Sequence, residues 1–157
     1  MADLEKIKWC KARKNGIELI NPNDNLANEY IDNAEETLVI LKTIKGKSNM
    51  WIAATKYYFE YFAVYSVLMK LGIKSEIHDC TISLCGFLED EGIFKKGVFA
   101  RLTKDKVLRI KNQYYLKNMP VDVDNDELLE FLLEIKDTLE KMTYEQIRSI
   151  RSRIKKI

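Results

Sequence analysis

His78 is the only histidine in a chain of 157 residues, so it is the one side chain whose ordinary pKa suits proton exchange near pH 7. Its natural companions are phenols. Tyr57, Tyr58, Tyr61 and Tyr65 fall within one apolar run over residues 51–71. Aromatics at helical spacing first of all build a core. A buried hydroxyl without a partner costs about 1–3 kcal/mol, however, so several of these phenols must reach a polar pocket, a rim or a subunit boundary. The chemistry open to this set is hydrogen bonding to a polar or anionic ligand, with one imidazole able to move a proton. As a simple brace, His78 would support a helix start just after Ser75. Cys10, Cys80 and Cys85 are odd in number, and the spacings from His78 place Cys80 and Cys85 on different helix faces. No metal site or cofactor is assigned, and the cysteines are read as reduced thiols of a cytoplasmic protein, since the charged first 20 residues hold no apolar secretory core.

These groups need elements to hold them. The run over residues 51–71 has the length of a membrane span, but Lys56, Glu60 and Lys70 interrupt it in one narrow stripe at about 100° per residue. The reading is a buried helix with one wet edge and no membrane association. Trp51, Thr55, Tyr58, Phe62, Tyr65 and Met69 alternate spacings of four and three opposite that stripe, the pattern of a helix-packing seam. Gly72 closes this helix. Before it lie a short helix over residues 4–14, an extended or turning stretch around Pro22, and a helix over residues 25–45 with the ladder Ala27, Tyr30, Ile31, Ala34, Leu38 and Leu41.

After Gly72, Ser75 is the expected N-cap of a helix reaching Gly92. A further helix over residues 103–119 carries Val107, Leu108, Ile110, Tyr114, Tyr115 and Leu116 and stops ahead of Pro120. Residues 120–125 form a linker. Asp124 with Glu127, and Thr143 with Gln146, then open two more helices through capping boxes. No stretch alternates with period two. The fold expected is all-α, a single domain over residues 1–157 with an up-and-down four-helix core over about 25–119 and a C-terminal extension over about 124–157.

A net charge of +2 exerts little general pull on nucleic acid, but the charges are unevenly placed. Residues 6–14 are basic, residues 122–140 are rich in carboxylates, and Arg148, Arg151, Arg153, Lys155 and Lys156 crowd the last ten positions. Solvated helix faces, with the acidic helix docked on the basic tail, account for this arrangement.

The segments LANEYIDNAEETL, TKYYFEYFAVYSVLMKLGIKSEIH and RIKNQYY resemble, in order and spacing, the prokaryotic and archaeal HEPN domain, a helical bundle associated with nucleotide and RNA handling. The resemblance covers residues 26–119. It implies a homodimer, a nucleotidyltransferase-type partner of the toxin–antitoxin kind, and in many members metal-independent ribonuclease activity from an arginine and a histidine four to six residues apart. Arg109 matches the arginine, and Tyr114 stands where the histidine is expected. A phenol with pKa about 10 is ionised only about one part in a thousand at pH 7, a poor base. Five residues are also about 140° of helical rotation, which takes Tyr114 off the face of Arg109 and leaves Asn112 and Gln113 as its neighbours. Tyr115 lies one place short of a tyrosine that partner enzymes modify in some members.

Three functions are therefore expected. The first is phosphate binding, of a nucleotide or RNA, through Arg109, Asn112, Gln113, Tyr115, Tyr57, Tyr58 and His78, without efficient catalysis. The second is a ribonuclease using Arg109 with Tyr114 or His78. The third is a structural helical adaptor whose last helix, with Tyr144, Ile147, Ile150 and Ile154 on one face, docks on a partner or on its own bundle.

Overall fold

The structure is a computed structural model that describes residues 2–157. Among these residues the chain forms seven helices and one small sheet: α1 (Leu4–Lys11), β1 (Ile17–Leu19), α2 (Asp24–Ile44), α3 (Asn49–Leu71), β2 (Ile73–Ser75), α4 (His78–Asp90), α5 (Val98–Gln113), α6 (Asn125–Lys141) and α7 (Tyr144–Lys156). It is an all-α helical bundle, with α3 at its centre packed against α2, α5, α6 and α7. Short side-chain caps start most helices: Asn23 accepts from Leu26 N, Ser48 from Trp51 N, and Asp124 from Asp126 N and Glu127 N. The Thr143–Gln146 capping box is present in both directions. Each cap satisfies backbone donors that the first helical turn leaves without partners.

Four local expectations are corrected. Ser75 does not cap α4. It ends β2, its N–H donates to the Tyr65 hydroxyl at 3.0 Å, and Ile77 precedes the helix without a side-chain cap. The sheet pairs Ile17 with Ser75 and Leu19 with Ile73, and strands of three residues are too short to display a period of two. The helix expected from Thr103 starts at Val98 and ends at Gln113, so Tyr114, Tyr115 and Leu116 lie beyond it. It stops there because Leu116 and Asn118 both adopt a left-handed φ of 51°, while the Asn112 carboxamide accepts from Met119 N at 2.6 Å and donates to Met119 O at 3.1 Å. The wet edge of α3 is dry at two of its three positions: Lys56 is 8% and Glu60 0% exposed, because Asp105 and Arg101 of α5 supply countercharges, while Lys70 stays half-buried.

The cysteines are corrected too. Cys10 and Cys80 form a disulfide that ties α1 to α4, and only Cys85 is a free thiol. The last helix belongs to the core, since Ile147, Ile150 and Ile154 are buried. The Arg151 guanidinium donates to the carbonyls of Ile20, Leu71 and Gly72 at 2.7–3.2 Å, and Gly72, at φ 73°, leaves it room. Basic α7 does not seek acidic α6: Arg153 pairs with Glu91 and Lys11 donates to the carbonyl of Ile154, while no ion pair joins α6 to α7 among the described residues. One hydrophobic cluster runs from Ile7 to Ile154, so both termini share the core of the central helices. No described helix is long and apolar enough to cross a membrane.

Candidate functional site

Tyr57, Tyr58 and Tyr61 project from the middle of α3, where spacings of one, three and four turn their rings towards α4 and α5. The first residue of α4, His78, meets them. Its Nδ1 lies 2.8 Å from the Tyr57 hydroxyl, and its ring stacks on Tyr61 with centroids 4.5 Å apart and planes 16° off parallel. The Tyr61 hydroxyl reaches Thr81 Oγ1 at 3.2 Å, and Thr81 in turn donates to Ser75 Oγ at 2.9 Å, which fixes the start of α4 against the sheet. Arg109 enters from α5. Its guanidinium donates to the Tyr58 hydroxyl at 3.0 Å and lies over two aromatic faces, 4.8 Å from the Tyr57 centroid and 5.4 Å from that of Tyr58. Three helices thus converge on one tyrosine, histidine and arginine cluster.

The electrostatics of Arg109 are unusual. It is 8% exposed, its Nε has no hydrogen-bond partner, and it pairs with no carboxylate among the described residues. The tyrosine faces offset part of the desolvation through cation–π attraction. A buried cation ordinarily finds a counter-anion as well. This group is fitted to receive one.

Burial, with Tyr61 close by, pushes the Tyr57 hydroxyl far above the ordinary phenol range. The hydroxyl therefore stays protonated. His78 Nδ1 is its only hydrogen-bond partner among the described residues, so the proton is donated to that nitrogen and the hydrogen of the neutral imidazole resides on Nε2. Burial, and then the charges of Arg109 and Lys106, lower the histidine pKa below its ordinary 6.5, against a smaller opposing pull from Asp79. Near neutral pH, His78 is thus an uncharged Nε2–H donor. The same phenol bond occupies Nδ1 as an acceptor and holds the tautomer whose hydrogen is on Nε2, so general-base work would first require the tautomer to change.

The expected result is that the lone imidazole titrates below 6.5 by NMR. The sign follows from a folded pKa depressed below the unfolded value: the stabilising difference is complete above 6.5 and is lost as pH falls beneath it. An imidazole that titrates above 6.5 contradicts this arrangement.

The remaining sequence candidates are placed elsewhere. Tyr114 and Tyr115 are 64% and 68% exposed beyond the end of α5, and the structure does not bring either into the cluster with His78. Asn112 is 1% exposed and holds the Met119 backbone. Gln113 is half-buried, with an Oε1 that lacks a partner.

A second buried polar group escaped the sequence reading. Lys56 Nζ lies 3.4 Å from Asp105 Oδ2, Arg101 reaches Glu60 at 3.2 Å and also pairs with Glu127, and Glu60 Oε1 and Asp105 Oδ1 lack donors. Burial, then the adjacent Asp105, push the Glu60 carboxyl well above the usual carboxylate range. Lys56, Asp105 and Arg101 line a cleft of about 430 Å³ that opens towards Asp122 and Asp124. The available signal was the pairing of a Lys56–Glu60 step with an Arg101–Asp105 step, each of one helical turn and of the same basic-then-acidic order, which match when the two helices run antiparallel. No family model and no curated protein sequence matches the chain.

Proposed function

We propose that this chain is a HEPN-like helical protein that binds the phosphate of a nucleotide or RNA at the Arg109, His78 and tyrosine cluster, without efficient catalysis. The observation that carries this reading is a buried arginine with, among the described residues, no carboxylate partner and an unused Nε, held over two tyrosine faces. A guanidinium is a planar fork matched to phosphate oxygens, and the Nε2–H of His78 adds a neutral donor nearby. Resemblance alone adds a homodimer and a nucleotidyltransferase-type partner, and the charged first 20 residues with the odd cysteine count are what support a cytoplasmic location. The Cys10–Cys80 bond weighs against a strongly reducing compartment.

Arg109→Ala is expected to weaken binding of adenosine and uridine monophosphates by about 10- to 100-fold, the scale of charged hydrogen bonds. The thermal midpoint should not fall by more than a few degrees, because an unpaired buried charge is also removed. Arg109→Lys keeps the charge and loses the fork, so it should restore little affinity. Unchanged nucleotide affinity in Arg109→Ala, measured by calorimetry, refutes the site. A metal-independent ribonuclease is the second reading, favoured by one observation: a histidine stands beside the arginine after all, contributed by α4. Chelator-resistant cleavage of labelled RNA that is lost in both Arg109→Ala and His78→Ala would establish it.

A further inference from the structure

The end of the bundle where α3 begins and α5 finishes carries three large aromatic rings in water. Trp51 is 57%, Tyr114 64% and Tyr115 68% exposed. The two segments are joined there: Asn49 Nδ2 donates to Asn118 Oδ1 at 3.0 Å. The tyrosines do not sit on a loose tail, since Tyr115 N donates to Ile110 O at 3.3 Å, Lys117 N donates to Lys111 O at 3.0 Å, and Asn112 fixes Met119.

The stretches of chain that build this end carry charge of one sign, the carboxylates next to them in sequence being Glu60, Asp105 and Asp122. Residues 45–59 and 106–121 contain no Asp or Glu. Lys45, Lys47, Lys111 and Lys117 are exposed, and none is in an ion pair among the described residues. Two other lysines of these stretches, Lys56 and Lys106, are neutralised by Asp105 and Asp79. Free cations around held, exposed aromatic rings are the two components of a surface that tracks a phosphate backbone while stacking its bases. A duplex offers no unpaired faces to such rings.

We propose that this end of the bundle is a platform for single-stranded nucleic acid, with bases stacked on Trp51, Tyr114 and Tyr115 and phosphates neutralised by Lys45, Lys47, Lys111 and Lys117. The platform deepens the nucleotide or RNA reading and rests on it for the class of ligand. It gives Tyr114 and Tyr115 a stacking role in place of a proton-transfer role. An acidic peptide satisfies the lysines but leaves the ring faces unused, so single-stranded nucleic acid is the better match.

The test is fluorescence anisotropy with a labelled 12-nucleotide oligouridine, using the full chain. Each of Trp51→Ala, Tyr114→Ala and Tyr115→Ala should weaken binding by about 5- to 100-fold, with nucleoside monophosphate affinity unchanged. Log affinity should fall against log salt with a slope of about −3 for four neutralised phosphates. In a Trp9→Phe background, the remaining tryptophan emission should be quenched as oligomer is added.

Oligomer binding that survives all three aromatic substitutions but is lost in Arg109→Ala overturns the platform and keeps the arginine site. Oligomer binding lost in the aromatic variants, with mononucleotide affinity unaffected by Arg109→Ala, keeps the platform and overturns the arginine site. Equal affinity for a duplex, or for a polyglutamate peptide, overturns the stacking argument, and so does a native chain that binds mononucleotides but no oligomer.

Discussion

Replacing Cys10 and Cys80 together by alanine is expected to lower the stability of the native protein by about 4 kcal/mol, the chain-entropy contribution of a bond that closes a loop of 70 residues. At the size of this chain, the thermal midpoint should drop by on the order of 10 °C. The bond joins two otherwise separate parts of the sequence, since α1 precedes the small sheet and α4 follows it. Both half-cystines are 0% exposed, so substitution also leaves unfilled volume. Reduction of the native chain isolates the cross-link from this packing loss, and its effect should account for most of the drop. Alkylation of denatured protein checks the bond directly: one thiol, Cys85, should react without reductant and three should react after reduction. Three reactive thiols without reductant, or a thermal midpoint indifferent to reductant, would sink this account.

Lys56→Met should cost about 3–5 kcal/mol, the usual penalty when one partner of a buried ion pair is removed and the other is left uncompensated. Asp105 is 4% exposed and Glu60 0%, so neither can recover hydration in place. The double variant Lys56→Met/Asp105→Leu should recover most of that loss, because a packed apolar pair of similar volume is often neutral relative to the ion pair. A double variant as unstable as the single one contradicts the pairing.

The same cluster sets a pH dependence. Glu60 titrates above its unfolded value in the folded state, so its contribution is complete below the ordinary 4.5 and is lost as pH rises through its folded pKa. The groups that face it are Asp105 and Arg101 on α5 and Lys56 one turn away on α3, with Glu127 of α6 sharing Arg101. Glu60→Gln cannot ionise and should flatten that loss on raising the pH, read as a denaturation midpoint measured across pH.

The sequence by itself determined the helical class, the centrality of the run that becomes α3, and the points where α2, α6 and α7 begin. Those features are local. Apolar spacing of three and four, an Asn, Asp or Thr ahead of it, and Gly72 after it act within one or two turns of the chain. The sequence also marked His78, Arg109 and the tyrosines as polar groups in need of partners.

Tertiary structure alone decided which partners they receive. Lys56 and Glu60 looked solvated because helical periodicity counts charges on one helix at a time, whereas Arg101 and Asp105 arrive from α5. Arg109 and His78 are 31 residues apart and meet only because α4 and α5 both pack beside the middle of α3. Cys10 finds Cys80 because α1 packs on α4, and an odd count of cysteines carries no information about distance in space. The end of α5 was fixed by Asn112 closing on Met119 while Leu116 and Asn118 turn left-handed, well before Pro120. The physical reason is common to these cases: propensity, capping and periodicity are short-range free energies written along the chain. Burial of charge, pairing of thiols and assembly of a site depend on contacts between distant segments, which exist only once the bundle has closed.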